Sequence, residues 1–277
     1  GPVHINIPVF GDIKTFSENK LPKVKVIKRL QNNLDLDFWK KQVVELSKSK
    51  KIMVIIGQQY KASENLVKSI NDFFEKYNCF IVVEHMSNIT CKGMLRPYVL
   101  AATLSPDSFE DLCPEIVITV GGNITSKLTY LLRAKNPMFK HWHVCESGKV
   151  VDPFKSLTHI FEVPVMGFFD YFNNNASTMI ENDMRFYNLW EKETNQIEYT
   201  EFPYSNIYVI REIIKKLPKK CTLHLSILNS IRLSHCFDIH PEINVFANLG
   251  GYGIDGTLSS FLGNAVVSED LCFLIIG

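Results

Sequence analysis

The stretch EIVITVGGNITSKLTYLLRA, Glu115 to Ala134, decides the fold. An apolar run ends in paired glycines, and a helical segment begins at Thr125. The run is continuous rather than alternating, so it reads as a strand buried on both faces. A strand that passes through a glycine turn into a helix is the repeating unit of a parallel α/β sheet.

The same grammar extends in both directions. KKIMVIIG (Lys50 to Gly57) is a strand that also stops at glycine, and FIVVEH from Phe80 is another. Between them ENLVKSINDFFEKY carries Leu66, Ile70, Phe73 and Phe74 at helical spacing. HWHVCE and THIFEV are further strands. The segment from Asn173 to Thr200 is polar, with an amphipathic helix around MIENDMRFYNLWEK, and a domain boundary is expected near its end. Beyond it, Ser205 is the expected N-cap of a helix with Val209, Ile210, Ile213, Ile214 and Leu217 on one face. CTLHLSI, INVFAN and LCFLII follow as strands, with a helix start at LNSIRLSH and a glycine loop after INVFAN. The expectation is an α/β chain: a parallel-sheet, Rossmann-like domain over residues 25–200, preceded by a linker at 1–24. Residues 201–277 read as the N-terminal part of a second α/β domain, which lacks a helix after its last strand. Ligands in such sheets gather at the carboxyl ends of the strands, where these glycines lie.

Length and composition bound the functional classes. At 277 residues, nearly half of them apolar, the chain supports one large or two ordinary cores. A net charge of +1, with acids and bases interspersed, gives no reason to expect nucleic acid or an anionic membrane as partner. No apolar run reaches membrane-spanning length, and the first residues show no charged n-region followed by an apolar h-region. Seven cysteines at irregular spacing, without CxxC, read as free thiols in a reducing, cytoplasmic setting.

Three segments carry candidate chemistry. HWHVC places His141, His143 and Cys145 on one strand face, where metal ligands converge, but no fourth ligand accompanies them; half-exposed imidazoles on an ordinary strand are the simpler reading. VGGNITSKL departs from the GxxxxGK[ST] spacing, so its glycines read as a tight turn. Lys127 is different, because a cation at a helix N-terminus opposes the helix dipole, a conflict that suits a ligand-facing role. LGGYGIDG is not GxGxxG and by pattern alone is a glycine turn.

Taken in register, these segments resemble one family. GPVHINIPV at the start is similar to the segment that closes the first domain of thiamine-diphosphate enzymes, which argues that the initial Gly-Pro is native. The Thr-Ser-Lys of VGGNITSKL resembles the central domain of the MenD family, the SEPHCHC synthases of menaquinone biosynthesis. Asn229-Ser230 resembles that family's GNS, and Asn248 to Gly256 resembles its SNRGxSGIDG. The resemblance implies thiamine diphosphate with Mg²⁺ as cofactors, a 2-oxoacid donor (2-oxoglutarate), a small-molecule acceptor (isochorismate) and a homodimer or homotetramer. It implies cofactor contacts from Asn248, Gly250, Gly253 and Ile254, the last as the apolar wedge that bends the cofactor, and substrate contacts from Lys127, Ser230 and Arg232. It further implies that the activating glutamate and the metal ligands lie outside these residues, so that the 277 residues alone bind thiamine diphosphate weakly and are inactive.

The sequence departs from the family pattern where three arginines are expected, at Leu128, Ser234 and Leu249. A guanidinium makes two charge-assisted bonds to a carboxylate and leucine makes none. The expectation is therefore a carboligase or decarboxylase that uses acidic substrates poorly, repaired by Leu128→Arg with Leu249→Arg. The alternative class is a non-catalytic binding or assembly module on the same scaffold.

Overall fold

The computed structural model describes residues 26–31, 36–136, 138–176, 181–197, 201–251 and 254–277. The opening segment and its linker lie outside the described residues. Two all-parallel sheets form the frame. The larger is built from β1 (Lys28–Gln31), β2 (Ile52–Ile56), β3 (Cys79–Val83), β4 (Met94–Leu95), β5 (Ile116–Val120), β6 (Lys140–Val144) and β7 (Leu157–Glu162), in the order β1-β7-β6-β5-β2-β3-β4. The smaller joins β8 (Thr222–Leu225), β9 (Asn244–Ala247) and β10 (Cys272–Ile275) in the order β10-β8-β9.

The continuous apolar strands follow from cover on both faces. On one face Ile52, Val54 and Ile56 pack with helices α1 (Leu36–Lys48), α2 (Glu64–Lys76) and α5 (Val165–Asn175), through Trp39, Phe73 and Phe168 among others. On the other, Met53 and Ile55 meet α3 (Tyr98–Thr103), α4 (Leu128–Ala134) and α6 (Arg185–Asn195), through Leu100, Leu131 and Trp190. The polar stretch after Asn173 thus returns to the large sheet: Asn173 is buried and its amide donates to the Ser69 carbonyl at 2.9 Å. The small sheet packs with α7 (Asn206–Lys216), α8 (Asn229–Ser234) and α9 (Thr257–Val267).

Ser205 is the N-cap residue of α7 as expected, and the structure adds two details. Only Ile210 and Ile214 of its apolar positions are fully buried, while Val209 and Ile213 are exposed, because the small sheet covers a narrower stripe than the sequence offers. Ser205 occupies the N-cap position, but its hydroxyl donates to the Pro203 carbonyl at 2.7 Å instead of capping the helix.

The order of the large sheet reverses between β2 and β5, the position where open α/β sheets bind ligands. Here the crevice is closed by backbone. Gln58 N–H donates to the Asn123 carbonyl at 3.1 Å and Gly122 N–H to the Gln58 carbonyl at 2.8 Å. A Cβ on Gly57 would stand 2.1 Å from the Gly122 oxygen, and Gly121 has φ +78°. These glycines serve close backbone approach. Gly57→Ala is expected to cost about 3 kcal/mol, as overpacking against a fixed backbone does. A urea midpoint equal to that of the unsubstituted chain would refute this.

The small sheet docks on the same edge. Gln58 donates through Nε2 to the Ala247 carbonyl at 2.7 Å. Asn88 donates to the Val245 carbonyl at 2.9 Å and accepts from Val245 N–H at 2.7 Å, while Met86 enters the small sheet's core.

Candidate active site

Three loops at strand carboxyl ends hold the residues singled out by sequence. The first follows β5. Glu84, directly after β3, is buried, and its carboxylate accepts the Thr125 N–H (2.9 and 3.0 Å), the Ser126 N–H (2.7 Å) and the Thr125 hydroxyl (2.7 Å). This fixes the path into α4, where Lys127 stands at the N-cap and donates to the Ala102 carbonyl at 3.2 Å. The carboxylate beside the start of α4 offsets the conflict between the Lys127 charge and the helix dipole.

The second loop follows β8. Ser230 is buried, accepting from the Ser226 hydroxyl at 2.9 Å. Leu228, at the position of the glycine in the family's GNS, adopts φ 66°, ψ −118°. Glycine occupies that region freely; in leucine it stores on the order of 1–3 kcal/mol, a signature common at functional sites. Arg232 reaches a cleft of about 470 Å³ shared with Lys127, Tyr98, Thr125 and Cys236. The structure therefore brings two of the three expected substrate residues together, from positions far apart in sequence. Ser230 is not among those lining residues.

The three positions of the missing arginines do not face this cleft. Leu128 is 0% exposed and Leu249 is 2% exposed, each in an apolar cluster, and Ser234 is fully buried with its hydroxyl donating to the Ser230 carbonyl at 2.7 Å. The expected repair by arginine at 128 and 249 is thereby overturned, since both side chains point into the core.

The third loop follows β9, which pairs with β8 in parallel. Asn248 opens it and lines a cavity of about 250 Å³ with Gln58, His224, Thr257, Ser260 and Asn264. Gly250 and Gly251 have open space where a Cβ would stand. Gly253 lies outside the described residues. Ile254 is 73% exposed. Gly256 has φ +84°, and a Cβ there would be 3.0 Å from Asn248 Nδ2. The Thr257 hydroxyl is buried without a hydrogen-bond partner among the described residues. Accessible backbone, a projecting apolar side chain and an unpartnered buried hydroxyl fit a cofactor with apolar and polar parts.

The HWHVC segment is resolved differently. His141 and His143 are both buried rather than half exposed, and Thr119 Oγ1 lies 2.8 Å from His141 Nε2 and 2.9 Å from His143 Nδ1. Burial, then the neighbouring His141, pushes His143 down to about 4. Asp152 stands 3.6 Å from His141 Nδ1, so Thr119, His141 and Asp152 have the connectivity of a nucleophile–base–acid triad. Thr119 and His141 line none of the clefts described here, so the set serves the core. Among the described residues no group of three or more His, Cys, Asp or Glu is placed to hold a metal ion.

Sequence reasoning missed Glu84, Tyr98 and His235. His235, at the C-cap of α8, is stacked between Tyr98 (centroids 4.2 Å apart) and His85 (4.9 Å). The only signal was an acid placed directly after the apolar run of FIVVEH, at the carboxyl end of a strand.

No family model matches the chain. Curated proteins do, over its whole length. It is 34% identical over 284 residues to the 2-succinyl-5-enolpyruvyl-6-hydroxy-3-cyclohexene-1-carboxylate synthase of Phocaeicola vulgatus. It is 34% identical over 285 residues to the protein of that name from Bacteroides fragilis, and 32% identical over 289 residues to that from Flavobacterium psychrophilum. Each alignment takes in 100% of this chain and 49%, 50% and 51% of the respective relative. The chain spans about half the length of the curated relatives it matches.

Proposed function

We propose, from a relationship to the SEPHCHC synthases (the MenD family) that covers the whole chain, that these residues belong to a thiamine-diphosphate-dependent carboligase. In this reading a 2-oxoacid is decarboxylated and the remaining fragment is joined to a small acidic acceptor. The domain reading is part of the proposal: 25–200 as the central domain and 201–277 as the first part of the pyrophosphate-binding domain.

The observation that carries the reading is the meeting of Lys127 and Arg232 at one cleft. Two cations lining one cleft suit a substrate with two carboxylates, and both of this family's substrates as implied by the resemblance are of that kind. Arg232 offers a planar fork and Lys127 a point charge, so the first fixes orientation and the second adds attraction. Lys127 and Arg232 at this cleft offer two cations although arginine is absent at 128, 234 and 249, so we favour 2-oxoglutarate and isochorismate themselves.

Asn248, Gly250, Gly253 and Ile254 are the residues we assign to cofactor contact. Thiamine diphosphate held here with Mg²⁺ would supply the nucleophilic carbon and electron sink that decarboxylation of a 2-oxoacid requires. The chain's part is to hold and orient: Ile254 presents an apolar surface, and Gly250 leaves its backbone open to close approach. We further propose that the 277 residues alone are inactive, and that the whole protein is cytoplasmic and a homodimer or homotetramer. Leu258, Leu262, Val266 and Val267 on α9 are exposed, an apolar face that suits cover by further protein. No helix of the described residues is long and apolar enough to cross a membrane.

The test is steady-state turnover of the full-length polypeptide that carries this chain, with 2-oxoglutarate, isochorismate, thiamine diphosphate and Mg²⁺. Product formation with kcat/KM of at least about 10⁴ M⁻¹s⁻¹ is expected. Lys127→Met should lower kcat/KM by about tenfold to a hundredfold, the loss of one charge-assisted contact. Absence of turnover would refute the carboligase reading and favour a binding or assembly role.

A further inference from the structure

Glu84 has no place in either motif, yet it takes more hydrogen bonds than any other carboxylate near the cleft. It is 6% exposed, and four contacts from Thr125 and Ser126 converge on its two oxygens. Burying a carboxylate costs several kcal/mol unless its partners hold it. A loop that needed only a cap would be served by a neutral Ser or Asn at its surface.

The contacts continue towards α8. Thr125 has one hydroxyl proton and gives it to Glu84 Oε2 at 2.7 Å. Its oxygen then accepts from His235 Nε2, 3.4 Å away, which assigns the proton of a neutral imidazole to Nε2. Burial, then His85 and Arg96, hold His235 well below the usual histidine range, so the ring is neutral. His235 Nε2 is also 4.0 Å from Glu84 Oε2. The ring cannot swing away, because Tyr98 and His85 stack on its two faces. A relay thus runs from His235 through Thr125 to Glu84. His235 ends the helix that carries Arg232, and Thr125 lies two residues before Lys127.

We propose that Glu84 is a positioning residue: through Thr125 and His235 it ties the Lys127 loop to the Arg232 helix and sets the separation of the two cations across the cleft. That separation selects the span between the two carboxylates of the substrate. The proposal rests on the reading of the cleft as a dicarboxylate site.

The experiment uses the full-length polypeptide and compares KM and kcat for 2-oxoglutarate and isochorismate across four variants. Lys127→Met tests the cleft itself: unchanged KM for both substrates would overturn the functional reading, and the positioning role with it. Glu84→Gln keeps size but turns one acceptor oxygen into a donor facing Thr125, which reverses the relay. It is expected to raise KM for at least one substrate about tenfold, with kcat changed less than about threefold, the pattern of lost ground-state binding. Thr125→Val removes the relay, and with it the hydroxyl contact to the carboxylate, while keeping the Glu84 side chain, and should raise KM alike; Thr125→Ser restores the hydroxyl and should recover most of that loss. If Glu84→Gln fails to fold, the Thr125 pair decides. The proposal is overturned if Lys127→Met raises KM while Thr125→Val leaves it unchanged, or if Ser and Val at 125 behave alike.

Discussion

Leu128→Arg is expected to unfold the chain rather than create a carboxylate contact, and Leu249→Arg to do the same. Leu128 is the first residue of α4 and turns inward onto Met53, Val117 and Leu131, while its neighbour Lys127 turns out. Removing the leucine forfeits about 2 kcal/mol of burial, and an unpaired guanidinium in its place adds several more. Leu249 packs with Leu225 and Val245 in the small sheet's core, so the arithmetic is the same there. A total near 5 kcal/mol is comparable to the whole stability of many domains, about 5–15 kcal/mol. Thermal unfolding should show Tm lowered by roughly 10–20 °C, or no cooperative transition. Leu128→Met, close in volume, should stay within about 1.5 kcal/mol of the original residue. An arginine variant that melts at the original temperature and binds 2-oxoglutarate more tightly would return both positions to the substrate site.

The positions of those leucines show where the sequence is legible and where it is not. Alternate residues of Ile52–Ile56 belong to two cores, so a doubly covered parallel sheet can be read from the run itself. The helix of Phe73 and Phe74 is equally plain, because its apolar positions fall on one stripe. β1 is not: only Leu30 of its four residues is buried, since it stands at the sheet's edge. α5 ends in Asn173-Asn174-Asn175, which reads as a loop until Asn173 is seen bonded to Ser69. In the candidate site, Lys127, Asn248 and Ile254 stand in motifs, which is why the sequence alone singles them out. Leu128 and Leu249 were aligned by motif but misjudged, because a motif gives register along the chain and not the direction of a side chain. Glu84 and His235 lie 151 positions apart, and nothing short of the fold brings them together.

Acidification from pH 6.5 to 5 is expected to destabilise the chain steeply, well above the range in which carboxylates titrate. Burial first, then Arg96, pushes His85 down to about 3; burial first, then His141, pushes His143 to about 4; burial first, opposed by Glu45 and helped by Lys28 and Lys140, pushes His159 to about 4. His224 and His235 shift in the same direction, each chiefly through burial. In the unfolded chain each imidazole takes up its proton near pH 6.5, whereas in the folded chain it does not until well below that. The unfolded state therefore binds more protons throughout this window, and stability falls as pH falls. The contribution is complete above pH 6.5 and is lost progressively on the way down to each folded value. Each such histidine contributes a slope of about 1.4 kcal/mol per pH unit, or about 2 kcal/mol by pH 5. Three of them give about 6 kcal/mol, enough to remove most of a stability of about 5–15 kcal/mol. Glu84 acts in the opposite sense: burial raises its carboxyl above the usual range, so protonation on acidification favours the folded state. This opposes the histidines without reversing the sign, because several imidazoles shift against one carboxyl. Urea midpoints measured between pH 7.5 and 5 should fall continuously. His143→Asn should flatten the slope by about one proton, because asparagine carries no titrating group while still offering Thr119 a polar partner. A midpoint constant from pH 7 to 5 would mean that these imidazoles charge in the folded state, which their burial beside Arg96, His141 and Lys140 opposes.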